Sequence, residues 1–155
     1  MMQMRSKPCG CGVTVWLTGP SDVGTSALTQ ALAERLRGAG YRVAALSTDE
    51  APARSVHRVG LTAEVLAHNG VIALVSSAAP DANARDAVRD RHRSSGTHFL
   101  EVHVEAPARA HDPIGADRRY EPPHHPDLVI PAQAQSSGEA LVILARLLAA
   151  KSFVA

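Results

Sequence analysis

The sequence predicts a three-layer α/β domain with a mainly parallel sheet. Three features carry that expectation: short β-branched apolar runs, amphipathic stretches of helical period between them, and glycine, asparagine or proline where one gives way to the next. Val13 to Leu17 is apolar or β-branched throughout, as a strand covered on both faces would be, and Gly19 ends it. Ser26 can open a helix carrying Leu28, Ala31, Leu32 and Leu36, with Arg35 and Arg37 near its end and Gly38 and Gly40 as stop signals. Tyr41 to Leu46 reads as a second strand. A helix from Arg54 to His68 places Val56, Val59, Ala63 and Leu66 on one face and closes at Asn69-Gly70. Val71 to Val75 is the next buried strand. Pro80 and Asp81 start a polar helix through Arg91, in which Arg85 and Arg89 share a face. Phe99 to Val104 alternates Leu100, Val102 and Val104 with Glu101 and His103. Pro107 to Pro126 is a surface loop, Leu128 to Ile130 a short last strand, and Ser136 or Ser137 the cap of a final helix with Leu141, Leu144, Leu147 and Leu148. No internal repeat or linker interrupts this order, so one domain spanning 1–155 is expected, with a flexible N-terminus over 1–11.

Composition narrows the function classes. A chain of 155 residues is the size of one domain and buries about two thirds of its unfolded surface. The formal net charge is +1, so no global field favours nucleic acid or an anionic membrane. Arginine outnumbers lysine 14 to 2, which most simply reflects coding bias. Cys9 and Cys11 form a C-x-C pair without a second pair, short of a zinc framework and best read as reduced thiols. A soft-metal site joining them to His124 and His125 has no support in the sequence. The apolar run after residue 12 is too short for a signal core or a membrane span, so a cytoplasmic location is expected.

Gly19-Pro20-Ser21-Asp22-Val23-Gly24-Thr25-Ser26 joins the first strand to the first helix. The spacing is that of the phosphate-binding frame GxxxxGKS/T, with Thr25 at the lysine position. Backbone amides at such a loop and the helix N-terminus make an anion cradle. Gly19, Ser21, Gly24, Thr25 and Ser26 are therefore the candidate nucleotide-binding residues, and Ser26 keeps the hydroxyl that would contact magnesium. The alternative is a loop that serves only as a strand-to-helix connection.

The chain resembles the adenylylsulfate kinase family, P-loop enzymes that phosphorylate the ribose 3′-hydroxyl of adenylylsulfate with ATP and magnesium. The resemblance is carried by Gly12 to Gly19, Ala31 to Leu36, Arg58-Val59-Gly60, Gly70 to Ser76, Arg85-Asp86 with Arg89, Phe99 to Val102, and Tyr120-Glu121-Pro122-Pro123, all in the family's order. It implies a P-loop NTPase-like fold with a five-stranded parallel core. It also implies sulfate metabolism as the setting and ATP and Mg2+ as cofactors.

This chain departs from the family pattern where the chemistry lies. The family loop reads approximately G-x-S-G-A-G-K-S; here Asp22 replaces a glycine and Thr25 the lysine. A carboxylate in the phosphate site repels each phosphate charge by roughly 4 kcal/mol at about 4 Å and an effective dielectric of about 20. Losing one preorganised donor costs on the order of 10²–10³ in rate. The family's Asp-Gly-Asp is Ser47-Thr48-Asp49, leaving Asp49 as the candidate general base or as a turn residue. The segment before Arg58 is short, His57 and Arg58 stand for a pair of arginines, and Ser55 stands for an asparagine. Ala110-His111-Asp112-Pro113-Ile114-Gly115 is a reduced lid lacking two cations, which exposes bound phosphate to water; Arg118 and Arg119 are loop residues with no clear partner. His57, Arg58, Arg85 and Arg89 remain the candidate substrate contacts.

Two functions follow from these readings. One is a diverged phosphotransferase, impaired in adenylylsulfate phosphorylation, that retains a nucleotide or a sulfated or phosphorylated small molecule, with ATP and Mg2+ binding weak or absent. The other is a non-catalytic scaffold that contacts another enzyme. Homodimerisation is compatible with both, and neither involves nucleic acid or a membrane.

Overall fold

The computed structural model describes residues 12–19, 25–48, 52–77, 82–105, 122–131 and 138–155. Along the chain these form β1 (Val13–Thr18), α1 (Thr25–Gly38), β2 (Val43–Ser47), α2 (Pro52–His68), β3 (Ile72–Ser77), α3 (Ala82–Ser94), β4 (Phe99–Val104), β5 (Leu128–Ile130) and α4 (Glu139–Ala150). The strands make one five-stranded sheet in the order β2-β3-β1-β4-β5, and its pairings are all parallel. β1 is buried at every position because it occupies the middle of that sheet.

Each face of the sheet has its own core. Val13, Val15 and Leu17 of β1 pack with Leu74, Leu100 and Val102 against Leu32 and Leu36 of α1 and Leu144 and Leu148 of α4. Trp16, Ala73 and Val75 point the other way and meet Val56 and Ala63 of α2 and Val88 of α3. The alternation of side chains along a strand makes this division, and helices on both faces explain why the strands read as unbroken apolar runs.

Element boundaries shift slightly from expectation. The Tyr41 amide donates to Leu36 O and closes α1, so the ladder of β2 starts at Val43. Gly40 and Gly70 take positive φ after α1 and α2, as the stop signals imply. The cap expected at Ser136 or Ser137 is instead Gly138, which is left-handed at φ 81° and makes no side-chain cap bond. Ser136 and Ser137 lie outside the described residues.

This topology sets where an open α/β sheet is expected to bind a ligand. β1 feeds α1 on one face, whereas its neighbour β3 feeds α3 on the other. Where adjacent strands diverge in this way, the carboxyl ends leave an opening between them.

Candidate functional site

Gly19 sits at the end of β1, where the backbone passes close to β4. A Cβ there would lie 2.6 Å from Val104 O, so a side chain cannot be accommodated without moving backbone. Thr25, the first residue of α1, is 1% exposed. Its Cγ2 lies 3.7 Å from that same Cβ position, so it packs against Gly19. Thr29 Oγ1 donates to Thr25 O at 2.7 Å. Ser26 is exposed beside it. The α1 N-terminus therefore offers a partial positive charge of about half an elementary unit, and a short neutral side chain stands at the motif's lysine position. Ser21, Asp22, Gly24 and Asp49 lie outside the described residues, as do Cys9, Cys11, the lid residues 110–115, and Arg118 and Arg119.

Polar side chains line the carboxyl edge of the sheet on the α2/α3 side. Thr18 of β1 is in register with Ser77 of β3 and His103 of β4. Thr48, just past β2, donates from Oγ1 to Ser77 Oγ at 2.9 Å. Burial pushes the His103 imidazole below its ordinary pKa; Arg85 adds to that effect, while Glu105 and Glu101 oppose it.

The structure brings Arg85 and Arg89 together on one acid. Arg85 Nε donates to Glu101 Oε2 at 3.3 Å, with both side chains essentially inaccessible. Arg89 donates to Glu101 Oε1 and to Asp127 Oδ2, each at 3.1 Å. It also lies over the Phe99 ring, 5.1 Å from the centroid. Burial works against the Arg89 charge, but the hydrogen bonds and charges of Glu101 and Asp127 outweigh it and raise the pKa above the ordinary arginine value. Asp127 Oδ2 in turn accepts from the Glu101 amide at 2.7 Å. The pair thus ties α3 to β4 and to the start of β5.

His57 and Arg58 lie elsewhere, on the exposed side of α2. His57 lines a groove with Gly60 of α2 and Ala84, Val88 and Arg91 of α3. Arg58 shares its helix and its exposed side. Among the described residues no cluster of three metal-ligating side chains occurs, and His124 instead faces Asp86 at 3.4 Å.

Sequence reasoning missed Glu101, Asp127 and Thr18. The available signal was position: an acid in a strand that also has covered neighbours on both sides must be buried, and a buried carboxylate requires a cation. The i, i+4 arginines on α3 supplied it.

With this geometry in place, comparison with known proteins assigns the family. Residues 11–113 match the family described as adenylylsulphate kinase. The adenylyl-sulfate kinase of Rippkaea orientalis is 36% identical over 151 residues, covering 76% of this chain and 80% of that protein. Among solved structures, a Cys556Ala mutant of the Mycobacterium tuberculosis APS kinase CysC superposes with a TM-score of 0.74 at 26% identity, covering 90% of this chain and 98% of that one. The hexameric APS kinase from Thiobacillus denitrificans gives a TM-score of 0.76 at 28% identity, covering 94% of this chain and 30% of that longer one. The sheet order, the strand-to-helix crevice and the matched span agree: this chain is adenylyl-sulfate kinase-like, with a P-loop NTPase-like α/β fold, and belongs to the adenylylsulfate kinase family.

Proposed function

We propose that the chain binds a nucleotide, or a related phosphate- or sulfate-bearing ligand, in the crevice at the β1–α1 junction, and that it transfers phosphate from ATP to adenylylsulfate weakly or not at all. The observation that carries this reading is Thr25: the position that would hold the phosphate-contacting cation is a neutral side chain, 1% exposed and packed against Gly19. A buried, uncharged side chain brings no cation to the charge developing between phosphates.

The residues present fit ATP and magnesium in part. The α1 N-terminus suits a phosphate, and Ser26, exposed in the first turn of α1, would offer its hydroxyl to a magnesium ion. ATP would supply the transferable phosphoryl group. Asp49 would act on the acceptor as base, with His57, Arg58, Arg85 and Arg89 as anion contacts. Of these, Arg85 is essentially inaccessible and would position α3 through Glu101, whereas Arg89, partly exposed, would be the one to meet ligand.

Titration with Mg-ATP and adenylylsulfate tests the binding half of the proposal. No heat at millimolar ligand would defeat it. The paired Asp22→Gly, Thr25→Lys variant tests the catalytic half, and is expected to raise phosphoryl transfer by on the order of 10²–10³. If that variant binds ATP but gains no turnover, the substrate segment and lid are the deeper lesion.

A scaffold role is favoured by one observation, the commitment of both candidate arginines to protein carboxylates. It predicts that Thr25→Ala leaves biological function intact in a complementation assay. Self-association, as in the relative described as hexameric, is part of either reading and is read by sedimentation.

A further inference from the structure

Two buried polar atoms, Trp16 Nε1 and Thr18 Oγ1, have no hydrogen-bond partner among the described residues. They stand two positions apart on β1 and therefore on one face of the sheet. Thr14, on that same face, shows what an occupied site looks like: its Oγ1 meets His92 Nε2 at 2.8 Å. Buried hydroxyls and indole N–H groups in folded proteins nearly always find partners, so an orphan calls for an explanation, and a water or a ligand is the one that supplies the missing bond.

Thr18 lies at the carboxyl end of β1, 0% exposed, at the point where the neighbouring strands send their chains to opposite faces. Register puts Ser77 on one side of it and His103 on the other, and Ser77 in turn meets Thr48. A row of three hydroxyls and one imidazole thus crosses four strand ends, over a next row that contains Val75 and Trp16. The row carries no formal charge, because burial and Arg85 hold the imidazole neutral against the pull of Glu105 and Glu101. Hydroxyls and a neutral imidazole each donate and accept. An alcohol, which also does both, satisfies such a row; a phosphate offers only acceptors and is better served by the α1 N-terminus alongside.

We propose that Thr18 and His103 together hold a hydroxyl of the ligand's sugar, with the phosphate-bearing part of the same ligand directed to α1. The inference rests on the ligand class proposed above and adds the residues that select a sugar within it.

The first test is Thr18→Val, which keeps the shape and removes the hydroxyl. Without ligand its melting temperature should equal or exceed that of the parent, since no bond is lost. A fall of several degrees would assign the hydroxyl a structural role and overturn the inference.

Binding is then read from Trp16, the chain's only tryptophan, with adenosine and 2′,3′-dideoxyadenosine as probes. The parent should prefer adenosine by about tenfold, the factor expected from one well-placed hydrogen bond. Thr18→Val and His103→Phe should abolish that preference, and His103→Gln should restore part of it. Equal affinity for the two nucleosides in the parent overturns the inference while leaving the ligand class standing. If neither nucleoside nor Mg-ATP binds, the ligand class itself fails. Side-chain NMR signals of Thr18 and His103 in concentrated D-ribose then decide the matter: shifts at both retain the sugar site, and their absence removes it.

Discussion

The two faces of the sheet each carry two helices, yet they are held by different forces. On the α1/α4 side the contact is hydrocarbon: Leu32, Leu36, Leu144 and Leu148 close over Val13, Val15 and Leu17, and Phe153 and Val154 complete the cover. On the α2/α3 side the apolar cluster is smaller, and α3 is tied down by polar bonds. Arg85 and Arg89 grip Glu101, Arg91 meets Glu64 at 2.8 Å, and His92 bridges Val88 O and Thr14. Apolar packing is indifferent to small changes of angle, whereas hydrogen-bonded charges fix one geometry. Of the two helices that follow the diverging strands β1 and β3, α1 rests on hydrocarbon and α3 is the one held by directional bonds. The comparison implies that one face supplies stability and the other sets position.

The largest expected effect tests that division directly. Glu101→Ala leaves the fully buried Arg85 without its carboxylate, and removing one partner of a buried pair costs about 3–5 kcal/mol. Leu144→Ala, 0% exposed on the opposite face, should cost a comparable amount, about 2–5 kcal/mol. Urea denaturation reads both. The faces separate in the rescue: Arg85→Met with Glu101→Leu should recover most of the lost stability, because an apolar pair of similar volume often replaces a buried ion pair at little cost. If Glu101→Ala costs under about 1 kcal/mol, the pair is not the anchor described.

How much of this was legible follows the same line. The apolar elements could be read from period alone: β1, α1, β3 and the α4 stripe of Leu144 and Leu148 appear where their patterns put them. Gly19 was legible as the residue that ends the first strand, while its close approach to Val104 O is seen only in the structure. Glu101 was read only as part of the alternation along Phe99 to Val104, which looks the same whether the polar face meets water or a buried cation; its place in a sheet covered on both faces was the signal left unused. The spacing of Arg85 and Arg89 predicted a shared face, but only the structure shows that this face looks inward to Glu101 and Asp127. Thr18 reads as an ordinary strand residue, and its missing partner is a three-dimensional fact.

The next effect concerns how closely the polar face is packed. A Cβ at Gly60 would lie 2.7 Å from Val88 Cγ2 and 3.1 Å from Cγ1, so α2 and α3 meet here with no space for a methyl group. Gly60→Ala should cost about 1–3 kcal/mol by overpacking. A Val88→Ala background should remove most of that penalty, which a double-mutant cycle would show as strong coupling. Additive losses would mean that the helices separate instead of clashing.

Acid should loosen the same face first. His92 accepts from Thr14 through Nε2 only if its proton is on Nδ1, where it donates to Val88 O. Burial pushes the imidazole below its ordinary pKa, and nearby Arg91 adds to this, while the Val88 carbonyl and Glu64 oppose it. The unfolded chain therefore binds a proton that the folded chain resists, and stability rises with pH across that window. The contribution is complete above about pH 6.5 and is lost as pH falls through it toward the lower folded value. His103 has the same sign. Urea midpoints measured from pH 7.5 down to 5.5 should decline, and His92→Gln, which can still donate and accept, should flatten the slope. A parent curve that is level over this range would contradict the assignment.

The smallest effect comes from the other face. Gly38 ends α1, where a Cβ would meet nothing within 4 Å and the backbone is not left-handed. Alanine there should stabilise by about 0.4–1 kcal/mol, since it restricts the unfolded chain without crowding the folded one. Gly38→Ala and Gly60→Ala are chemically the same change in two helices, and they are expected to differ in sign. Thermal melts of the two variants side by side therefore compare the faces with composition held constant. If Gly38→Ala is also destabilising, the end of α1 is constrained by its closing bond from Tyr41 to Leu36, and the hydrocarbon face has a directional element of its own.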